Sequence, residues 1–345
     1  MKKVCVIGHF GFGKEMLNGQ TIKTKIITTE LEKQLGCEQI MKIDTHGGAR
    51  ALPKVMIQMA RGFRSCENII ILPAQNGVRV FAPLCAAFRK LYKRKLHYIV
   101  IGGWLDNLLE RNPRLLKALD SFTAIYVETR TMKQDLEKRG LCNLCILPNF
   151  KDIPILTEDE LVYPTGEPYR LCTFSRVMKE KGIEDAVEAV KAVNEKYGRT
   201  VYTLDIYGQV DSEQTKWFED LKATFPGYVR YKGLVAYDKS VEVLKDYFAL
   251  LFPTRFYTEG IPGTIIDAYA AGVPVISAKW ESFADAVEDG ITGIGYEFGI
   301  CNELLQILCE IADMPTIISE KKKNCIASAK EFSPDSVMQE ILRRI

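Results

Sequence analysis

Arg176, Lys181, Glu259 and Asp267 are the residues of this chain whose types and spacing could do chemistry together. The first two lie in Thr173-Phe174-Ser175-Arg176-Val177-Met178-Lys179-Glu180-Lys181-Gly182, where a short apolar run ends at Ser175 and Gly182 closes a turn. Two cations at a strand exit suit the paired anionic oxygens of a diphosphate. Glu259 and Asp267 belong to the stretch from Phe252 to Ile276, in which Gly260-Ile261-Pro262-Gly263-Thr264 reads as a loop running into a helix. Pro262 suits the first turn, and the backbone N–H groups of Gly263 and Thr264 would be free to attract phosphate. A carboxylate beside such a helix start is repulsive unless the ligand also brings hydroxyls. A nucleotide sugar brings both.

Softer signals surround these. Tyr207-Gly208-Gln209 and Lys232-Gly233-Leu234-Val235 stand at strand exits, where an ordinary turn explains them equally well. Near the start, Gly8-His9-Phe10-Gly11-Phe12-Gly13-Lys14 and Asn18-Gly19-Gln20-Thr21 form a glycine-rich turn ahead of a helical stretch. Such a turn lets backbone approach a phosphate, although the dinucleotide fingerprint is absent. No Asp-x-Asp, Walker loop, nucleophile elbow or H-E-x-x-H occurs. Cys142 and Cys145 form a C-x-x-C with no second pair at ligand spacing, so no metal site is expected.

The elements that must position these residues show as alternating short apolar runs and longer helical stretches. Six runs fall in the first half (Lys3–Gly8, Gln39–Ile43, Asn68–Leu72, His97–Ile101, Thr123–Val127, Leu144–Leu147). Six more follow at Arg170–Phe174, Tyr202–Tyr207, Val229–Tyr231, Ala249–Phe252, Val273–Ile276 and Ile294–Tyr296. Between the first two runs, Thr21–Leu35 predicts a helix with Ile22, Ile26, Ile27 and Leu31 on one face. This alternation predicts the α/β class, with two Rossmann-like doubly wound parallel-sheet domains. Open parallel sheets take ligands at the carboxyl ends of their strands. The predicted division is 1–150, a proline-rich and acidic hinge at 151–168, a second domain at 169–332, and a last helix at 333–345 packing back toward the first domain.

Taken together, the Ser175-Arg176…Lys181-Gly182 and Glu259…Asp267 blocks resemble the retaining GT-B glycosyltransferases of the family-4 type, the family-1-like group that builds bacterial surface glycans. The resemblance implies two domains facing across a cleft, with the acceptor on the first and the nucleotide sugar on the second. It implies that Arg176 and Lys181 hold the donor diphosphate and stabilise the departing nucleotide. Glu259 would accept hydrogen bonds from the donor sugar. Asp267 takes the place of a second Glu that binds the ribose, one methylene shorter. Gly19, Gly208, Val235, Gly260, Ile261, Pro262, Gly263 and Thr264 complete the implied donor contacts. Pro148-Asn149 matches the pair that precedes the family's hinge, whereas a donor-contacting His found in many relatives is missing near Ile101–Asp106. The implied reaction is retaining transfer from a nucleotide sugar, a UDP-sugar first, to a hydroxyl of a glycan or polyprenyl-linked acceptor in surface polysaccharide synthesis. No cofactor or metal is expected. A non-catalytic nucleotide-sugar-binding subunit and a sugar-nucleotide epimerase of the same architecture are the alternatives.

Charge separates the halves. Residues 1–150 carry 24 Lys and Arg against 12 Asp and Glu, whereas 151–345 carry 22 against 32. The densest basic piece, Phe88 to Lys95, holds Arg89, Lys90, Lys93, Arg94 and Lys95. Two readings stand level: a solvated helix end, or an anionic membrane or phosphorylated-acceptor contact aided by Phe88, Leu91 and Tyr92. Nucleic acid is not expected, because no recognition motif accompanies the charge. No apolar stretch approaches a membrane span, and the first residues are too short for a secretory core. These features predict a cytoplasmic protein, peripheral on the inner membrane face if the basic piece binds lipid.

Overall fold

The computed structural model describes residues 1–13 and 19–345. Lys14 and Asn18 of the glycine-rich segment lie outside the described residues. The chain divides into two compact units, Met1–Pro148 with Val337–Ile345, and Asn149–Ser336.

In the first unit six strands, β1 (Lys2–Gly8), β2 (Ile40–Asp44), β3 (Cys66–Leu72), β4 (Lys95–Ile99), β5 (Ala124–Val127) and β6 (Leu144–Ile146), form one sheet ordered β2-β1-β3-β4-β5-β6. Every pairing is parallel. The second unit repeats the plan with β7 (Tyr169–Phe174), β8 (Tyr202–Tyr207), β9 (Val229–Gly233), β10 (Ala249–Phe252), β11 (Val275–Lys279) and β12 (Gly293–Glu297), ordered β12-β11-β10-β7-β8-β9. Near-continuous Val, Ile and Leu runs are what strands covered on both faces require, and Ile69 to Leu72 are fully buried. In this second sheet the chain winds outward from β7 through β8 to β9, then restarts at β10 on β7's other side. The crevice at that reversal is where an open sheet takes its ligand. Leu171 and Cys172 of β7 stand opposite Ala249 and Leu250 of β10, so the loops leaving these neighbouring strands emerge together.

Two expectations change, and the last helix follows the one made for it. The Gly19–Leu35 helix buries Ile27 and Leu31, but its other buried residues are polar, Thr21, Lys23, Thr24, Thr28 and Glu30, while Ile22 and Ile26 are only half-buried. A Cβ at Gly8 would lie 2.6 Å from Thr24 Cγ2, so helix and strand approach closely enough to require small residues. The 151–168 stretch is not a free hinge: Lys151 N–H donates to Phe332 O at 3.2 Å and Leu156 N–H to Ala270 O at 2.9 Å. Leu161 packs under Gly272, binding that stretch into the second unit. The last helix, Pro334–Leu342, buries Val337, Met338 and Ile341, and from Val337 onward its residues belong to the first unit.

Candidate donor site

The loops after β7 and β10 hold the motif residues, and two glycines let the β7 exit lie against the β10 exit on one side and the β8 exit on the other. Gly182 adopts φ +65°, and a Cβ there would fall 1.8 Å from the Pro253 carbonyl oxygen. Gly208, at φ +133°, stands equally close to the Ser175 carbonyl. Any other residue at either position would force the loops apart. The Arg255 N–H donates to Glu180 O at 2.8 Å, tying the β10 exit to the β7 exit.

That geometry brings Lys181 and Glu259 into direct contact. Lys181 Nζ is ion-paired with Glu259 Oε1, both side chains being largely buried. The ammonium also lies 5.4 Å from the Phe252 ring centroid and 5.2 Å from that of Phe256. Thr254 Oγ1 donates to the same oxygen, Glu259 Oε1, at 3.0 Å, which adds a second hold on the carboxylate. Arg176 does not join this contact. Its guanidinium is about half exposed and stands 3.5 Å from Asp211 Oδ2. Arg255 is held away by Asp185 at 2.5 Å, and that hydrogen bond raises its pKa.

The Gly263–Ala270 helix starts after Pro262, which is its cap rather than its first turn. Its opening N–H groups have no partners within the helix. Gly260, Pro262, Gly263 and Thr264 are partly exposed at this opening, and Ile261 is buried beneath them. Asn149 Nδ2 donates to Ile261 O at 3.1 Å and pins the loop. Asp267 does not open toward the ligand space. It is 2% exposed, with Lys151 Nζ 2.5 Å from Oδ2 and Ser240 Oγ 2.8 Å from Oδ1. Burial raises its carboxyl pKa, opposed by the Lys151 charge and both hydrogen bonds. Of the softer residues, Gly208 accepts from Tyr231 Oη at 2.9 Å, and Val235 packs half-buried on the apolar layer behind the site. Lys151, Asp211 and Thr254 were not anticipated. Each is an ordinary polar residue in its own segment, and only the fold gives it a partner.

In the first unit the glycine-rich turn is already satisfied by protein. The Phe10 and Phe12 N–H groups donate to Asp44 Oδ1 and Oδ2 at 2.9 and 3.0 Å. Burial would raise the Asp44 pKa, but backbone N–H groups of His46, Phe12, Phe10 and Gly11 outweigh it and hold the carboxyl below its ordinary range. Gly19 opens the following helix, exposed, with open space where a Cβ would stand.

The basic piece is a groove. Arg89, Lys90, Lys93, Arg94 and Lys95 line a cavity of about 760 Å³ with Arg114 and Lys117, which come from the Pro113–Asp120 helix. No carboxylate lines it. Arg94 and Lys95 are partly occupied, donating to the carbonyls of Phe63 and Arg344 at 2.8 and 3.1 Å. Phe88 and Tyr92 turn inward onto Phe63, the first stacked at 5.1 Å and the second tilted at 6.1 Å, so of the three apolar residues only Leu91 stands well exposed. The Gln75–Tyr92 helix needs those rings for its own packing. All ten cysteines are free thiols, and among the described residues no group of metal-ligating side chains occurs. Among these residues, too, no helix is long and apolar enough to cross a membrane.

Residues 168–313, which contain both motif blocks, match a family profile described as glycosyl transferases group 1. The second unit holds a group 1 glycosyltransferase domain. Among curated relatives, the amylovoran biosynthesis glycosyltransferase AmsK of Erwinia amylovora is 22% identical over 46% of this chain and 40% of its own length. The alpha-monoglucosyldiacylglycerol synthase of Acholeplasma laidlawii is 28% identical over 47% and 39%. The chain thus spans less than half the length of these relatives. Among solved structures, Anabaena Alr3699/HepE in complex with UDP superposes with a TM-score of 0.75 at 14% identity, covering 99% of both chains. Sucrose-phosphate synthase from Thermosynechococcus elongatus gives 0.74 at 13%, over 99% of this chain and 98% of that one. At such identities the likeness is one of fold, and the fold is GT-B. The group 1 domain therefore has its two motif blocks on the adjacent strand exits of a GT-B second sheet.

Proposed function

We propose that the protein is a retaining glycosyltransferase that moves a sugar from a nucleotide sugar, a UDP-sugar first, to a hydroxyl of a glycan or lipid-linked acceptor. The observation that carries this reading is the Lys181–Glu259 contact at the β7/β10 reversal. A cation suited to phosphate and a carboxylate suited to sugar hydroxyls so close together support binding of one ligand that carries both groups.

As the anomeric bond breaks, charge builds on the leaving diphosphate. Preorganised donors stabilise it: Lys181, Arg176 and the opening N–H groups of the Gly263 helix. The acceptor hydroxyl attacks from the face the nucleotide leaves, forming the new C–O bond as the old one breaks. Attack on that same face keeps the configuration, and the hydroxyl's proton passes to the departing phosphate oxygen. These cations neutralise the leaving group, and on that ground the reaction is proposed to need no metal.

UDP complexes of Alr3699/HepE support the choice of base, and AmsK supports a role in surface polysaccharide synthesis. The basic groove supports peripheral attachment to an anionic membrane, where a lipid-linked acceptor would reside. A panel of nucleotide sugars tests the reading by thermal shift, since a bound donor raises Tm by mass action, and by acceptor-dependent release of UDP. If no nucleotide sugar raises Tm and none yields UDP, the reading fails. A Tm rise without transfer to any hydroxyl acceptor would instead favour a binding subunit.

A further inference from the structure

Two of the donor-site cations were legible in the motifs. A third cation, the Lys151 ammonium, reaches that helix start from the segment ahead of β7. Lys151 Nζ lies 2.5 Å from Asp267 Oδ2 and 4.9 Å from the Tyr237 ring centroid. Gly263 makes room for it, because a Cβ there would stand 3.0 Å from Lys151 Cε and 3.5 Å from Nζ. The ammonium is therefore beside the first backbone N–H groups of the helix, where about half a positive charge already gathers. Asp267 balances Lys151 alone, leaving the helix end uncompensated. In the same first turn Thr264 Oγ1 is buried with no hydrogen-bond partner among the described residues.

We propose that Lys151 is a donor-binding residue, its ammonium held by Asp267 so that it hydrogen-bonds the diphosphate of the nucleotide at the start of the Gly263–Ala270 helix. The inference rests on the donor-site reading above and reverses the polarity implied at this position. Where the resemblance supplies a carboxylate that accepts from ribose, this chain presents an N–H donor to phosphate. An ammonium has three N–H donors; the carboxylate takes one and the ring face attracts another, which leaves one for ligand. Asp267, 2% exposed, is a positioning residue.

Isothermal titration with UDP, and competition of uridine and inorganic pyrophosphate against it, separates the possibilities. Lys151→Met is expected to weaken UDP about 10- to 100-fold and to weaken pyrophosphate in parallel, while uridine is unchanged. This variant leaves Asp267 buried without its counter-ion, so the double variant K151M/D267N serves alongside it and should melt close to wild type. Asp267→Asn alone should cost UDP less than Lys151→Met does. If the double variant folds and binds UDP as tightly as wild type, Lys151 does not bind the donor. Equal losses for UDP and uridine would move the contact to the nucleoside and overturn the phosphate assignment. Failure of wild type to bind UDP at all would instead count against the donor-site reading itself.

Discussion

The donor site and the basic groove use positive charge in opposite ways. At the donor site every cation faces a carboxylate: Lys181 meets Glu259, Lys151 meets Asp267, and Arg176 stands near Asp211. In the groove seven Lys and Arg side chains converge, and none is ion-paired with a carboxylate among the described residues. Paired cations are fixed in place and select a ligand by geometry, because an arriving phosphate must suit the pairs already made. Unpaired cations on an open surface attract by summed field, with little demand on shape and strong dependence on salt. On the proposed function, the contrast separates a site built to discriminate from a surface built to gather.

The largest expected effect lies at the paired site. Arg176→Ala or Lys181→Ala should lower acceptor-dependent UDP release about 10²- to 10³-fold, with the far-UV circular dichroism unchanged. Near wild-type turnover in both would remove the catalytic half of the comparison.

Next comes the groove. Reversing Lys90, Lys93 and Lys117 to Glu leaves the backbone-bound Arg94 and Lys95 intact. At about 1 kcal/mol per basic residue near an anionic surface, the triple variant should lose about 100-fold or more in binding to phosphatidylglycerol vesicles, and raised salt should mimic the loss in wild type. UDP affinity should stay as it was. Sedimentation with vesicles that the reversal leaves untouched would reduce the groove to a solvated helix end.

A third treatment of charge occurs at Lys322. It is fully buried with no carboxylate, donating to the carbonyls of Tyr247 and Gly272 at 3.2 Å each. Burial lowers its pKa from 10.5 to about 8. The folded state thus holds its proton less tightly than the unfolded state, so stability is lowest where both are charged and rises between pH 8 and 10.5. Relative to Lys322→Met, wild type should gain up to about 3 kcal/mol across that window, read by denaturant titration at pH 7, 9 and 10.5. A flat difference would mean that the amine finds compensation the carbonyls do not supply. Smallest of all is Asp211→Asn. Its exposed pair with Arg176 at 3.5 Å should change stability by less than about 1 kcal/mol, and a larger chemical-denaturation shift would show the donor-site pair to be more rigid than its exposure suggests.

Much of this was legible beforehand for definite reasons. Strands covered by helices on both faces must be apolar along their length, so all twelve runs stood out, with no end off by more than three residues. Lys181 and Glu259 were legible because each lies in a strand-exit motif, and Gly182 beside Lys181 is held against the Pro253 carbonyl. Phe88 and Tyr92 misled because an apolar residue in a basic helix fits a membrane face or a core equally well, and only Phe63 decides between them. Lys151 gave no signal because its partner lies 116 residues away.

By itself the sequence determined the α/β class, the two sheets and the order of the chemical groups, since periodicity and turn chemistry are local properties of the chain. Tertiary structure alone decided that Asp267 is enclosed by Lys151 and Ser240, and that Arg114 and Lys117 complete the groove. Whether a charge is paired, buried or open depends on what other segments bring to it, and that is set by packing between residues far apart in the chain.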